Sequence, residues 1–254
     1  MLAPAALYAT AVATMQSLAV PSVVTFDETL QSDAGTLRVS ADRNGTEQLT
    51  LDSDPEPSTL IFHATSHPPL GTAAVSVGDA PVATIDGVFF DPTWRGVEAF
   101  VRGRIEANNL FAGLPGATPS PPASPAPSGD LPVIAVVSAL APAYYTLSDG
   151  GATACPDGTP GRALRATPRD PQRGYPLQSV IVNDAAQRFC SMTFGIPSSW
   201  GDYRTSATYE IHFGQRGAYW LVVGGVIHFV ATRPLHRPIE NRIGFTLSSV
   251  QASP

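Results

Sequence analysis

The sequence predicts an α+β fold that is mostly β: a strongly curved antiparallel sheet, a half-barrel of about eleven strands, packed on one or two helices. Three observations carry this. Short segments alternate apolar and polar residues with a period of two along most of the chain. Clusters of Gly, Pro, Asn and Asp punctuate them. Two stretches only carry the three-to-four spacing of a helix. The expected organisation is a single β-rich domain over residues 1–254.

The first helix is expected at 3–19, where Tyr8, Ala11/Val12, Met15 and Leu18/Ala19 repeat at helical spacing and Pro21 stops the run. An export signal needs a basic start, and the first basic residue is Arg38. The segment therefore reads as part of the mature domain, with any export signal removed or never present. Strands follow. Val24, Phe26 and Leu30 share a face in VVTFDETLQ, Asp33-Ala34-Gly35 turns the chain into TLRVSA, and Asn44-Gly45 is a hairpin signal leading to EQLTL. With STLIFHAT, these are expected to form a four-strand meander. Asp91-Pro92 then has the chemistry of a helix start, and Trp94, Val97, Val101 and Ile105 form the stripe of a second helix over 91–109. Residues 113–132, GLPGATPSPPASPAPSGDLP, contain nothing to build a core from and read as a mobile loop or linker.

Beyond it come PVIAVVSAL, AYYTLSD, GRALRAT, YPLQSVIVND and QRFCSMTFG, the last two joined by a tight turn at Asn183-Asp184-Ala185-Ala186. From Thr205 to Phe213, Ala207, Tyr209, Ile211 and Phe213 alternate with polar residues, and Gln215-Arg216-Gly217 supplies a turn. The return segment, YWLVVGGVIHFVA, is the most apolar run in the chain. Its thirteen residues fall short of the roughly 20 a bilayer-spanning helix needs. Its Val, Ile and aromatic content is that of a strand buried on both faces, with Gly224-Gly225 marking a bulge or bend. NRIGFTLSSV closes the series with Ile243, Phe245 and Leu247 on one face.

Charge narrows the function classes. The net charge is −6, all fifteen basic residues are arginine, and none cluster, so binding to nucleic acid is not expected. No nucleophile elbow, phosphate loop, dinucleotide fingerprint or C-x-x-C occurs. His63 and His67 stand four apart, but on a strand entering a loop, which does not align metal ligands. His212 lies beside Glu210 on the outer face, His228 reads as a core histidine with a satisfied hydrogen bond, and His236 falls in a proline-bounded loop. Asp27 and Glu28 point to opposite faces and cannot act as a pair. The alternation is taken to leave no buried acid or base. No metal, no cofactor and no catalysis are therefore expected. Cys155 and Cys190 are either unrelated thiols or, in an exported protein, a disulfide contributing about 3 kcal/mol.

Three stretches carry a resemblance. LYATAVATMQSLAVPSVVTFDETLQSDAGTLRVSA is similar in layout to the start of the bacterial lipoprotein-carrier superfamily (LolA/LolB-like), a helix leading into the first strands of a curved sheet. YPLQSVIVNDAAQRFCSMTFG resembles its mid-sheet hairpin, and TYEIHFGQRGAYWLVVGGVIHFVA the long strands beside it. The resemblance implies a periplasmic or extracellular binding protein whose concave face covers an apolar cavity for an acyl chain, a lipoprotein or another apolar ligand. Strand parity assigns Phe26, Leu30, Trp94, Val101, Tyr209, Ile211, Phe213 and Trp220 to that face. The alternative is a structural or protein-binding envelope module in which the helices fill this space. A hydrolase would instead gather polar groups around His228 or His63.

Overall fold

The computed structural model describes residues 2–33, 36–41, 47–52, 58–68, 73–77, 80–82, 85–86, 92–98, 101, 141–169, 177–200 and 203–254. Helix α1 spans Pro4–Gln16, and proline stands at its first position, where its missing N–H costs nothing. Leu18 and Ala19, expected inside it, lie beyond its end. Strands β1 (Val23–Ser32), β2 (Thr36–Ala41), β3 (Glu47–Asp52), β4 (Ser58–Ser66), β5 (Ala73–Val77), β6 (Ala80–Val82) and β7 (Ile85–Asp86) follow. Residues 94–98 are helical, as is 101, whereas Pro92 and Thr93, expected inside a helix over 91–109, precede its first helical residue; the remainder of that span, the proline-rich 113–132 and the strand expected at PVIAVVSAL fall outside the described residues. A single helical turn, Ala141–Tyr144, precedes β8 (Tyr145–Ala154), so AYYTLSD begins as helix rather than strand. The chain continues through β9 (Pro160–Pro168), β10 (Leu177–Asn183), β11 (Phe189–Trp200), β12 (Tyr203–Arg216), β13 (Tyr219–Thr232) and β14 (Ile239–Ser253).

The fold is mostly β, as the alternation predicts. Eleven strands form an open sheet in the order β6-β5-β4-β1-β14-β13-β12-β11-β10-β9-β8, and every pairing with a described register is antiparallel. A second sheet of three has the order β2-β3-β7, its β3–β7 pair parallel. The expected four-strand meander does not form. Strand β1 pairs with β4 on one edge and β14 on the other, which leaves no edge for β2. Strands β2 and β3 still make their own hairpin, Ala41 opposite Glu47. The chain divides into two compact units.

The first unit comprises Met1–Met15, Val101–Thr208 and Val230–Pro238. Here α1 buries Leu7, Tyr8, Ala11, Val12 and Met15. The Tyr8 ring lies 5.3 Å from that of Phe189 on β11, and burial pushes the Tyr8 phenol above its usual range. The β10–β11 turn is held by Asn183, whose Oδ1 accepts from the Ala185 and Ala186 amides at 3.1 and 2.8 Å. Its Nδ2 reaches across to Thr159 Oγ1 at 2.8 Å. Beside it a disulfide joins Cys155, just after β8, to Cys190 on β11, with Cα atoms 5.7 Å apart.

The second unit comprises Gln16–Phe100, Tyr209–Phe229 and Ile239–Pro254. Strand β1 alternates along almost its full length, burying Val24, Phe26, Glu28, Leu30 and Ser32. Its pairing with β14 slips between Thr25 and Asp27, opposite Gln251 and Ser248, and Ser249 takes up the extra residue at φ 53°. Strand β13 is buried around Trp220, Leu221, Val222 and the glycine pair, then half-exposed from Val226 to Val230. Burial on both faces thus holds for its first half only. The glycines permit close packing within a continuous strand. A Cβ on Gly225 would overlap the Glu210 carbonyl oxygen and come within 2.6 Å of the Phe245 ring, and one on Gly224 within 2.7 Å of the Phe245 carbonyl oxygen.

Candidate functional site

The buried face of the second unit is built outward from β1. Phe26 and Leu30 point inward one pleat apart on either side of Glu28. Across the β14 border Leu30 stands opposite Phe245 and Glu28 opposite Leu247, both buried. Across the β4 border Phe26 stands opposite the buried Ala64. On β12, Tyr209, Ile211 and Phe213 share one parity and are buried. The segment 92–98 joins β13 through a 2.7 Å hydrogen bond from the Val222 amide to the Pro92 carbonyl. The Thr93 hydroxyl accepts from the Gly96 amide at 3.3 Å, a short cap for the helical turn. This places the Trp94 ring 6.0 Å from that of Phe213, tilted by 52°. Trp220 on β13 is buried as well. Seven of the residues assigned to the apolar face by parity therefore belong to the second unit. The eighth, Val101, is buried and belongs to the first.

Polar groups interrupt this face: Ser32 on β1 donates to Asn241 Oδ1 on β14 at 3.0 Å, Ser66 on β4 is buried, and β1 also buries an acid. Glu28 is 0% exposed, and neither carboxyl oxygen has a hydrogen-bond partner among the described residues. Burial raises its pKa well above the usual carboxylate range, which favours the neutral acid. The expectation of no buried acid is thereby corrected. The signal was present: a face containing positions 24, 26 and 30 of an alternating strand must contain 28 as well.

The opposite face of the same strands is polar. Asp27 accepts from His63 Nδ1 at 2.9 Å, and that bond, with one from Ser249, holds its carboxyl below the usual range. Glu210 pairs with His212 at 2.9 Å, with the same effect on the Glu210 carboxyl. His228 is not a core histidine. Its side chain is 43% exposed and bonds Glu240 at 2.7 Å, because β13 has left the buried region by that point. These exposed two-residue pairs do not converge, and no group of three metal-ligating side chains occurs among the described residues. No described helix is long and apolar enough to cross a membrane.

Neither a protein-family model nor a curated protein matches the sequence. Two solved structures are similar. One is a Vibrio parahaemolyticus domain named for outer membrane lipoprotein sorting. It matches at 11% identity and a TM-score of 0.37, over 96% of this chain and 91% of that one. The other is a DUF1329 family protein from Desulfovibrio piger, at 12% identity and a TM-score of 0.33, over 99% and 94% of the two chains.

Proposed function

We propose that the chain is a non-enzymatic exported binding protein, periplasmic or extracellular, that holds the apolar part of a lipid, lipoprotein or similar ligand against the buried face of its second unit. In this reading Phe26, Leu30, Trp94, Tyr209, Ile211, Phe213 and Trp220 supply the apolar surface. The contact of Trp94 with Phe213 carries it: an indole from a short helical turn lies on the apolar row of β12, and the buried side of β1 adds the apolar Val24, Phe26 and Leu30. The second reading is a protein-binding envelope module with a filled core, and one observation favours it. The same side chains are buried as tightly as members of a packed core.

Native mass spectrometry with organic extraction of the purified protein separates the two. A co-purifying apolar molecule, lost in a folded Trp220→Glu variant, supports the binding reading. A mass that stays at that of the bare chain after incubation with phospholipid vesicles overturns it.

A further inference from the structure

Glu28 is a fully buried acid that the reading above leaves without a task. Two apolar side chains flank it on its own strand, Phe26 and Leu30, and Leu247 stands opposite on β14. Asp27 and its partner His63 lie on the other face, and Glu240 and Arg242 on β14 are exposed. A carboxyl so placed loses its hydrogen bonds to water and gains none from the described residues, which is destabilising. A leucine would fill the position without that cost.

We propose that the Glu28 carboxyl is the polar anchor of the ligand: it hydrogen-bonds the hydroxyl or amide end of an uncharged amphiphile whose chain lies along Phe26 and Leu30. The inference rests on the apolar-ligand reading and names the ligand's other end. The chemistry selects the class. A neutral carboxylic acid offers one O–H donor and one carbonyl acceptor. A hydroxyl or an amide satisfies both, whereas a hydrocarbon end satisfies neither. An ammonium end would have to draw off the Glu28 proton and bury an ion pair on an apolar face, which desolvation opposes. An anionic end would add an unpaired charge beside the carboxyl.

The test uses the full chain, freed of bound lipid, and three ten-carbon probes: n-decane, decanamide and 1-decanol. Each is titrated against a bound fluorescent apolar dye in wild type, Glu28→Gln and Glu28→Leu, with circular dichroism to verify folding. The readout is the affinity for each polar probe relative to n-decane. Glu28→Leu is expected to lower that ratio about tenfold, the equivalent of one or two hydrogen bonds, while still binding n-decane. Glu28→Gln keeps a donor and an acceptor and is expected to keep the ratio within about threefold of wild type. A ratio unchanged in Glu28→Leu overturns the anchor and leaves the apolar-ligand reading standing. Failure of all three probes to displace the dye from wild type overturns both.

Discussion

Replacing Glu28 by glutamine should change how stability depends on pH more than it changes stability at any single pH. In the folded chain burial favours the protonated acid, whereas in the unfolded chain the same carboxyl titrates near 4.3. Above that value the folded state keeps a proton that the unfolded state has released. The stabilisation from this linkage is therefore complete below the unfolded value. It is lost steadily as pH rises toward the folded value, at about 1.4 kcal/mol per pH unit. Asp27 and Glu210 act in the opposite sense: their carboxyls are held low, so their contribution is present at neutral pH and lost on acidification. Both remain in the variant and cancel in the difference. Urea unfolding followed by tryptophan fluorescence at pH 5.0 and 6.0 measures it. Relative to Glu28→Gln, the wild type should lose stability over that unit, by at most about 1.4 kcal/mol. Stability curves that run parallel would show Glu28 to be ionised, solvated or paired in the folded chain, and would refute the reasoning.

The Cys155–Cys190 bridge spans 35 residues, for which the chain-entropy relation gives about 4 kcal/mol at 25 °C. Reductant should lower the urea midpoint of wild type and leave that of a Cys155→Ala/Cys190→Ala variant unchanged. Gly225→Ala sets a methyl group against the Glu210 carbonyl and the Phe245 ring and should cost about 1–3 kcal/mol in the same assay, since backbone cannot yield as a side chain can. Phe213→Ala removes the partner of the Trp94 ring from a fully packed site and should cost about 3–5 kcal/mol. A blue shift of tryptophan emission in that variant, instead of a shift toward the solvent-exposed wavelength, would contradict this placement of Trp94.

Local pattern made much of this fold legible. The alternation of Tyr209, Ile211 and Phe213 located β12, and Asn183 with its neighbours located the β10–β11 turn. What the pattern does not contain is who pairs with whom. Nothing near Val24 indicates that its neighbours are Ala252 and Ser66, so a meander of consecutive strands looked natural where β1 in fact takes β14 and β4. Strands β5, β6 and β7 escaped notice because AAVSV, APV and ID are short and low in large apolar side chains. On the buried face, the burial of Phe26, Leu30, Tyr209, Ile211 and Phe213 was readable by parity. Glu28 was equally readable, but an acid between Asp27 and Thr29 looks like ordinary surface until the face is counted through. The pairing of His63 with Asp27 was not readable, because it depends on the β1–β4 register.

The pairing of β1 with β14 also bears on how the chain is made. Val23 lies in register with Ser253, so one edge of β1 stays open on the ribosome until the far later β14 has been synthesised. Each compact unit is likewise assembled from three separated stretches, and the last stretch of the first unit, Val230–Pro238, emerges before that of the second, Ile239–Pro254. Strand pairings of such long separation close slowly, and they leave an apolar, alternating strand exposed to other chains meanwhile. The second unit thus cannot be completed before β14 is made, and a ribosome stalled before Ile239 releases a β1 with no native partner on that side.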